Sequence, residues 1–337
     1  MGFVVNTFEG RAGDRAGTVY ELTDGTVRAE VWPQWGFNCV RWQVRQPDGS
    51  WAGVFFTAPD WETNPVPTRS GHPVLFPFPG RLRDGRLPGS EVQLPLNDST
   101  KQHAIHGFTP RTPWRVIGTT LNPDFAGVTG QFRLADDLPA AVGQWPGDFV
   151  LNLSYYLHRD RVRVRATVEN QGSESLPFGI GYHPYFRLPG VADSDVGRHV
   201  LTAHVTQVWV ADAANLPTGE RKPVPPELDF QKPRSVGATA LDHVLTGVTA
   251  SPGADGLVEL ATLTHPEASG RLRVLADPAF RELVLFTPAH RQAVAIEPYT
   301  CSADASNLQA RGIDTGWLTL KPGVTWDAAV EYRWEPN

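Results

Sequence analysis

The chain has 337 residues, a formal net charge of −6 and 41% hydrophobic residues, enough for a sizeable core. Its 26 arginines outnumber 4 lysines but are scattered, which excludes nucleic acid as a natural partner. Two distant cysteines, Cys39 and Cys301, exclude a disulfide scaffold or zinc ribbon and suit a reducing, cytoplasmic compartment, and no apolar run reaches membrane-span length.

From the N-terminus, MGFVVNTFEGRAGDR reads as neither signal peptide nor acylation signal. TVRAEVWP (26–33), CVRWQVRQ (39–46), WRVIGTTL (114–121) and VTGQFRLA (128–135) are rich in β-branched and aromatic residues and bounded by turn residues, so each predicts a strand. PAAVGQW (139–145) suits a short helical turn. FVLNLSYYL (149–157) precedes the clearest alternation in the chain. There Val162, Val164, Ala166 and Val168 interleave with Arg161, Arg163, Arg165 and Thr167. Period two with one polar face is a half-buried strand, and His158 to Asp160 close the two runs into a hairpin.

TGERKPVPPELDFQKPRSVG (218–237) is polar and proline-rich and reads as a long loop. Strand signals resume in LVELATLT (257–264), GRLRVLAD (270–277), ELVLFT (282–287), AVAIEP (293–298) and TWDAAVEYRWE (325–335), with a helical turn at DASNLQA (304–310). Many short, closely spaced strands with no long amphipathic helix predict an antiparallel β-sandwich or barrel. With 32 glycines and 30 prolines spread evenly, residues 1–337 read as one domain.

Five polar residues stand at strand ends beside aromatics or glycine. Glu297 follows the apolar run 293–296, with Pro298 expected to end the pairing. Its simpler reading is a salt bridge to an arginine, because an unpaired buried carboxylate is costly. His183 lies in GIGYHPYF (179–186), as either a core histidine with a hydrogen-bond partner or a proton donor or acceptor at the floor of a pocket. His106 and His103 are three apart in a stretch hostile to helix, so one faces a pocket while the other turns away. That spacing argues against a metal clamp, including a cupin-like one. Arg81 is either a solvated turn residue or a planar donor for ligand oxygens, and shares a strand face with Arg83. Asp242 is either a cap or an acceptor for two hydroxyls. Each has a bland alternative. Together they make a polar small-molecule pocket with an acid, a base and hydroxyl clamps.

FPFPGRLRDGR (76–86), HAIHGF (103–108), GYHPYF (181–186), NLPTGE (215–220), LDHVLTG (241–247) and IEPYTCSADASN (296–307), in that order, resemble the motifs of the aldose 1-epimerase (galactose mutarotase-like) family. The resemblance implies a large antiparallel β-sandwich of supersandwich type, a sugar substrate, no metal or organic cofactor, and a monomer or homodimer. It implies Glu297 as general base, His183 as general acid, His106 as a second active-site histidine, and Arg81 and Asp242 as hydroxyl binders. The acid and base are expected to converge across a gap about one hexose ring wide. Gly80, Leu245 and Phe108 depart from the family pattern, which has Asn, an aromatic residue and a second glycine there, so the sugar is left open. A hexose-6-phosphate epimerase, with Arg83, Arg86 and Arg111 as phosphate donors, and a carbohydrate-binding protein without turnover are the rival expectations.

Overall fold

The computed structural model describes residues 2–63, 66–191 and 196–337. Within them the chain is mainly antiparallel β structure. A nine-stranded sheet runs in the order Arg234–Ser235, Val200–Ala203, Val258–Thr264, Gly270–Ala276, Thr325–Pro336, Arg161–Asn170, Phe149–Leu157, Phe125–Arg133 and Arg115–Asn122. The predicted hairpin sits in it, with Phe149 opposite Asn170 and Leu157 opposite Val162. Val162, Val164, Ala166 and Val168 are fully buried, as the alternation requires. Each of the three valines contributes about 1.5–3 kcal/mol on burial.

An eight-stranded sheet lies against this one. Its path is Pro217–Pro223, Val205–Ala211, Asp242–Val248, Glu282–Phe286, Val294–Tyr299, Gly181–Tyr182 and Val74–Leu75, with Tyr185–Phe186 added beside Val294–Tyr299. Aromatic contacts mark the interior: Phe76 meets Phe149 with ring centroids 4.8 Å apart, and Phe186 meets Tyr332 at 5.6 Å. His72 is sealed there, bonded to Tyr155 and Tyr332 hydroxyls at 2.9 Å each. Burial pushes its pKa down to about 3, so it is a neutral core group. A five-stranded meander, Val4–Ala12, Arg15–Thr23, Val27–Trp32, Asn38–Arg45 and Trp51–Gly53, and two two-stranded sheets complete the strands. Arg81–Arg83 pairs with the next strand, His103–Ile105, as a hairpin in one, and Leu176–Phe178 pairs with the distant Leu318–Leu320 in the other.

Two expectations are corrected. Residues 218–237 are not one loop: Pro217–Pro223 is the edge strand of the eight-stranded sheet, and a 3₁₀ turn at Pro226–Leu228 and strand Arg234–Ser235 follow. Its prolines disguise it, yet an edge strand tolerates them because one side needs no ladder donors. The strands Val4–Ala12 and Arg15–Thr23 were not expected from the sequence. Pro298 does not end the pairing; Val294–Tyr299 continues past it, with Pro298 opposite Leu283. On the other side the neighbouring chain is split into Gly181–Tyr182 and Tyr185–Phe186, so the ladder is already interrupted where the proline's N–H is missing.

Candidate active site

Strand alternation builds the floor of the site. In Val294–Tyr299, Val294 and Ile296 join the main core, while Ala295, Glu297 and Tyr299 face the opposite side of the sheet. The neighbouring segment pairs Gly181 with Tyr299 and Tyr185 with Ala295, which puts His183 directly across from Glu297. The result is a contact: His183 Nε2 lies 3.3 Å from Glu297 Oε1. No ring-wide gap separates them, because cross-strand partners on one face start only about 5 Å apart at Cβ.

Both groups are buried, with 8% and 1% of their surface exposed. Burial lowers the His183 pKa to about 3, partly opposed by its backbone hydrogen bonding. Burial also raises the Glu297 carboxyl well above its ordinary value; the Tyr299 hydrogen bond pulls it back and nearby Asp242 adds to the rise. Burial therefore disfavours both the doubly protonated and the fully deprotonated pair, so the two share one proton. Tyr299 donates its hydroxyl to Glu297 Oε2 at 2.7 Å. Tyr185 stacks on the His183 ring at 4.7 Å and donates its hydroxyl to the Thr68 carbonyl at 2.9 Å.

His106 approaches from the hairpin end. It has φ +65°, and its Nδ1 accepts a hydrogen bond from the Gly80 N–H at 3.2 Å. An accepting Nδ1 leaves the proton on Nε2, so a neutral His106 is a donor. Its pKa is held well below the ordinary value by burial, then by His183, Arg111 and Arg81. Gly107, at φ +66°, permits the bend: a Cβ there would collide with the Phe76 carbonyl. His103 turns the other way, its Nδ1 accepting from the Asp84 N–H at 3.2 Å.

Arg81 and Asp242 bring charge to the walls. Arg81 Nε is 3.7 Å from Asp98 Oδ2. Asp98 is itself fixed by Thr100 and by the backbone N–H groups of Gln102 and His103, at 2.6, 2.9 and 3.0 Å. Asp242 begins its strand two strands from Glu297, which is roughly 10 Å across the sheet. The surrounding cleft raises its pKa by desolvation, and Arg81 opposes this. A cavity of about 650 Å³ is lined by all five sequence-derived candidates: Arg81, His106, His183, Asp242 and Glu297. Among the described residues no three His, Cys, Asp or Glu side chains cluster so as to hold a metal ion.

Other lining residues were not singled out from the sequence. Tyr299 could have been, since it stands two residues after Glu297 on the same strand face. Asn215 heads the NLPTGE stretch, whereas Arg69, Trp209 and Phe286 carry no local signal. The glycines of GIGYHPYF serve packing rather than ligand access: a Cβ on Gly179 would strike Cys301 Sγ, and one on Gly181 the Tyr299 ring. Of its rings, Tyr182 and Phe186 are core and Tyr185 lines the cavity. Leu245 and Phe108 face away from the cavity, so of the three departures only Gly80 touches it. Arg83, Arg86 and Arg111 do not line it; Arg83 is engaged by Asp212 at 2.7 Å and Asp304 at 3.5 Å.

Residues 18–333 match the family model described as aldose 1-epimerase. The chain belongs to the aldose 1-epimerase family. It is 28% identical over 253 residues to the uncharacterized protein YihR of Escherichia coli (strain K12), covering 74% of each chain. It is also 28% identical over 281 residues to the galactose mutarotase of Homo sapiens, covering 81% of this chain and 78% of that one. Among solved structures, a galactose mutarotase-like protein from Clostridium acetobutylicum superposes with a TM-score of 0.84 at 23% identity over 99% of both chains. A galactose 1-epimerase from Lactobacillus acidophilus NCFM gives 0.75 at 18% identity, again over 99% of each. These structural likenesses show that the aldose 1-epimerase family member described here has the galactose mutarotase-like fold.

Proposed function

We propose that this chain, acting as a single domain, is a mutarotase that interconverts the α and β anomers of a free hexose. The observation that carries the proposal is the His183–Glu297 contact of 3.3 Å on the floor of a cavity that Arg81, His106 and Asp242 also line. In a pyranose the anomeric hydroxyl and the ring oxygen are bonded to the same carbon. Two acid/base groups in contact with each other can therefore each reach one of those oxygens.

In the opening step Glu297 takes the proton of the anomeric hydroxyl. The bond from the anomeric carbon to the ring oxygen breaks, its electron pair goes to the ring oxygen, and His183 supplies that oxygen with a proton. The former hydroxyl oxygen is now the aldehyde carbonyl. After rotation about the adjacent carbon–carbon bond the step reverses: His183 recovers the proton, Glu297 returns one to the carbonyl oxygen, and the ring closes on the other face. The pair holds one proton throughout, on His183 when the ring opens and on Glu297 once it is open; burial favours the second placement, so the first is the minor, reactive form of the resting pair. Each positioned proton transfer supplies about 10²–10⁴-fold. His106 donates from Nε2, and Arg81 and Asp242 hold hydroxyls around the ring. This assignment uses protein groups alone for the proton transfers.

The test is polarimetry on freshly dissolved α-anomers of D-glucose and D-galactose, with glucose 6-phosphate alongside. The purified protein should accelerate the decay of rotation of at least one free sugar, and of the phosphorylated one no better. Rates equal to buffer on every free aldose refute the proposal.

A further inference from the structure

The NLPTGE stretch has no task in the proton transfers, yet its first residue lines the cavity. Asn215 sits in a tight loop that the rest of the fold clamps. Asp212 Oδ1 accepts the backbone N–H groups of Ala214 and Leu216 at 2.9 and 3.1 Å, and the Asp212 carbonyl accepts that of Asn215 at 3.0 Å. Arg83 Nη2, on the strand that also carries Arg81, donates to Asp212 Oδ2 at 2.7 Å. Asn215 takes φ +57°, a conformation that few residues other than glycine and asparagine adopt readily.

The clamp aims the Asn215 amide at Asp242, to whose Oδ2 Asn215 Nδ2 donates at 2.8 Å. An ionised carboxylate only accepts, so the amide nitrogen must face it. The amide oxygen is then directed elsewhere, and among the described residues no hydrogen bond to it is present. Asn215, Asp242 and Arg81 line the same cavity, and Arg81 acts on the Asp242 carboxyl, whose pKa it pulls down. Two acceptors next to a fixed donor match a vicinal pair of hydroxyls: each hydroxyl gives a hydrogen to one acceptor, and one hydroxyl oxygen accepts from the arginine.

We propose that Asn215 is a substrate-binding, specificity-determining residue, which with Asp242 and Arg81 reads the configuration of a vicinal diol on the sugar ring. The proposal rests on the sugar-binding reading of the cavity. The Arg83–Asp212 pair is a positioning device for it. Inverting one of the two hydroxyls takes a hydrogen away from an acceptor that the bound sugar covers, and an unmatched polar group discriminates more strongly than an unfilled apolar one.

The experiment separates binding from turnover. 1,5-Anhydro-D-glucitol and 1,5-anhydro-D-galactitol keep the ring hydroxyls but lack the anomeric one, so they bind without reacting; their affinities are measured by calorimetry. Asn215→Gly removes the amide while preserving the backbone freedom that φ +57° requires. Asn215→Asp keeps the shape but sets a second carboxylate against Asp242. The wild type should bind one epimer better than the other. Asn215→Gly should weaken the preferred epimer by about tenfold and narrow the preference. Asn215→Asp should weaken it at least as much, with the polarimetric loss falling on KM more than on kcat. Affinities and epimer ratios within about twofold of wild type in both variants, or no binding of either anhydrohexitol by the wild type, overturn the proposal. Wild-type binding without faster mutarotation sinks the epimerase reading instead, and the variant affinities still decide the role of Asn215.

Discussion

Glu331 and Glu297 are both glutamates on central strands, with 2% and 1% of their surface exposed, and they have opposite surroundings. Glu331, on the solvent side of the nine-stranded sheet, is ringed by Arg163 at 3.3 Å, Arg161 at 3.5 Å and Arg333 at 2.5 Å. Glu297, on the cavity side of the eight-stranded sheet, has a tyrosine and a neutral histidine instead. The salt bridge that is the simplest expectation for any buried carboxylate describes Glu331 and fails for Glu297. Partners, not burial, separate a carboxylate that holds a sheet together from one that can move a proton.

The largest effect that would sharpen this contrast is a pair of isosteric substitutions. Glu297→Gln should lower mutarotation by at least about 10²-fold, since one proton-transfer group is lost. Its thermal stability should hold or rise above about pH 5. The sign follows from the raised carboxyl: the folded state holds a proton that the unfolded chain gives up above its own value, so the wild type loses stability as pH rises and the glutamine does not. Glu331→Gln should do the reverse, keeping polarimetric activity but losing about 2 kcal/mol in urea unfolding, as charge-assisted bonds to three arginines weaken. An inactive Glu331→Gln, or an active Glu297→Gln, breaks the comparison.

A middle-sized effect comes from Tyr299→Phe, which removes the 2.7 Å hydrogen bond to Glu297. That bond stabilises the carboxylate, so without it the carboxyl holds its proton to higher pH. The rate should fall by about tenfold and the alkaline limb of the pH–rate profile should move upward. A lower rate with an unmoved profile would make Tyr299 a packing residue only. The smallest expected effect is none at all: with burial holding His183 near 3, the wild-type rate should pass unchanged through pH 6.5, where a solvated imidazole would titrate. A limb centred there would show His183 to be solvated and the shared-proton pair wrong.

Much of this could be read along the chain, and the failures share one cause. The hairpin 149–170 was legible because one of its faces is wet and the other dry, which writes the alternation into the residues themselves. The strand Pro217–Pro223 was not, because an edge strand needs neither face fully apolar and tolerates proline. The N-terminal strands Val4–Ala12 and Arg15–Thr23 are similarly disguised by glycines and exposed positions. In the site, His106, His183, Asp242, Arg81 and Glu297 were marked by chemistry out of place at strand ends. Arg69 and Trp209 reach the cavity only because distant segments fold over it.

The sequence by itself determined the period of the strands, the antiparallel all-β class and the inventory of acid, base and donor groups, because hydrophobic alternation and side-chain chemistry are local properties. Only the tertiary structure decided that His183 and Glu297 touch, that His106 donates from Nε2, and that Asn215 faces Asp242. Those facts depend on strand register and on which side chains exclude water from which charges, and register between segments more than a hundred residues apart is set by the packing of the whole sandwich.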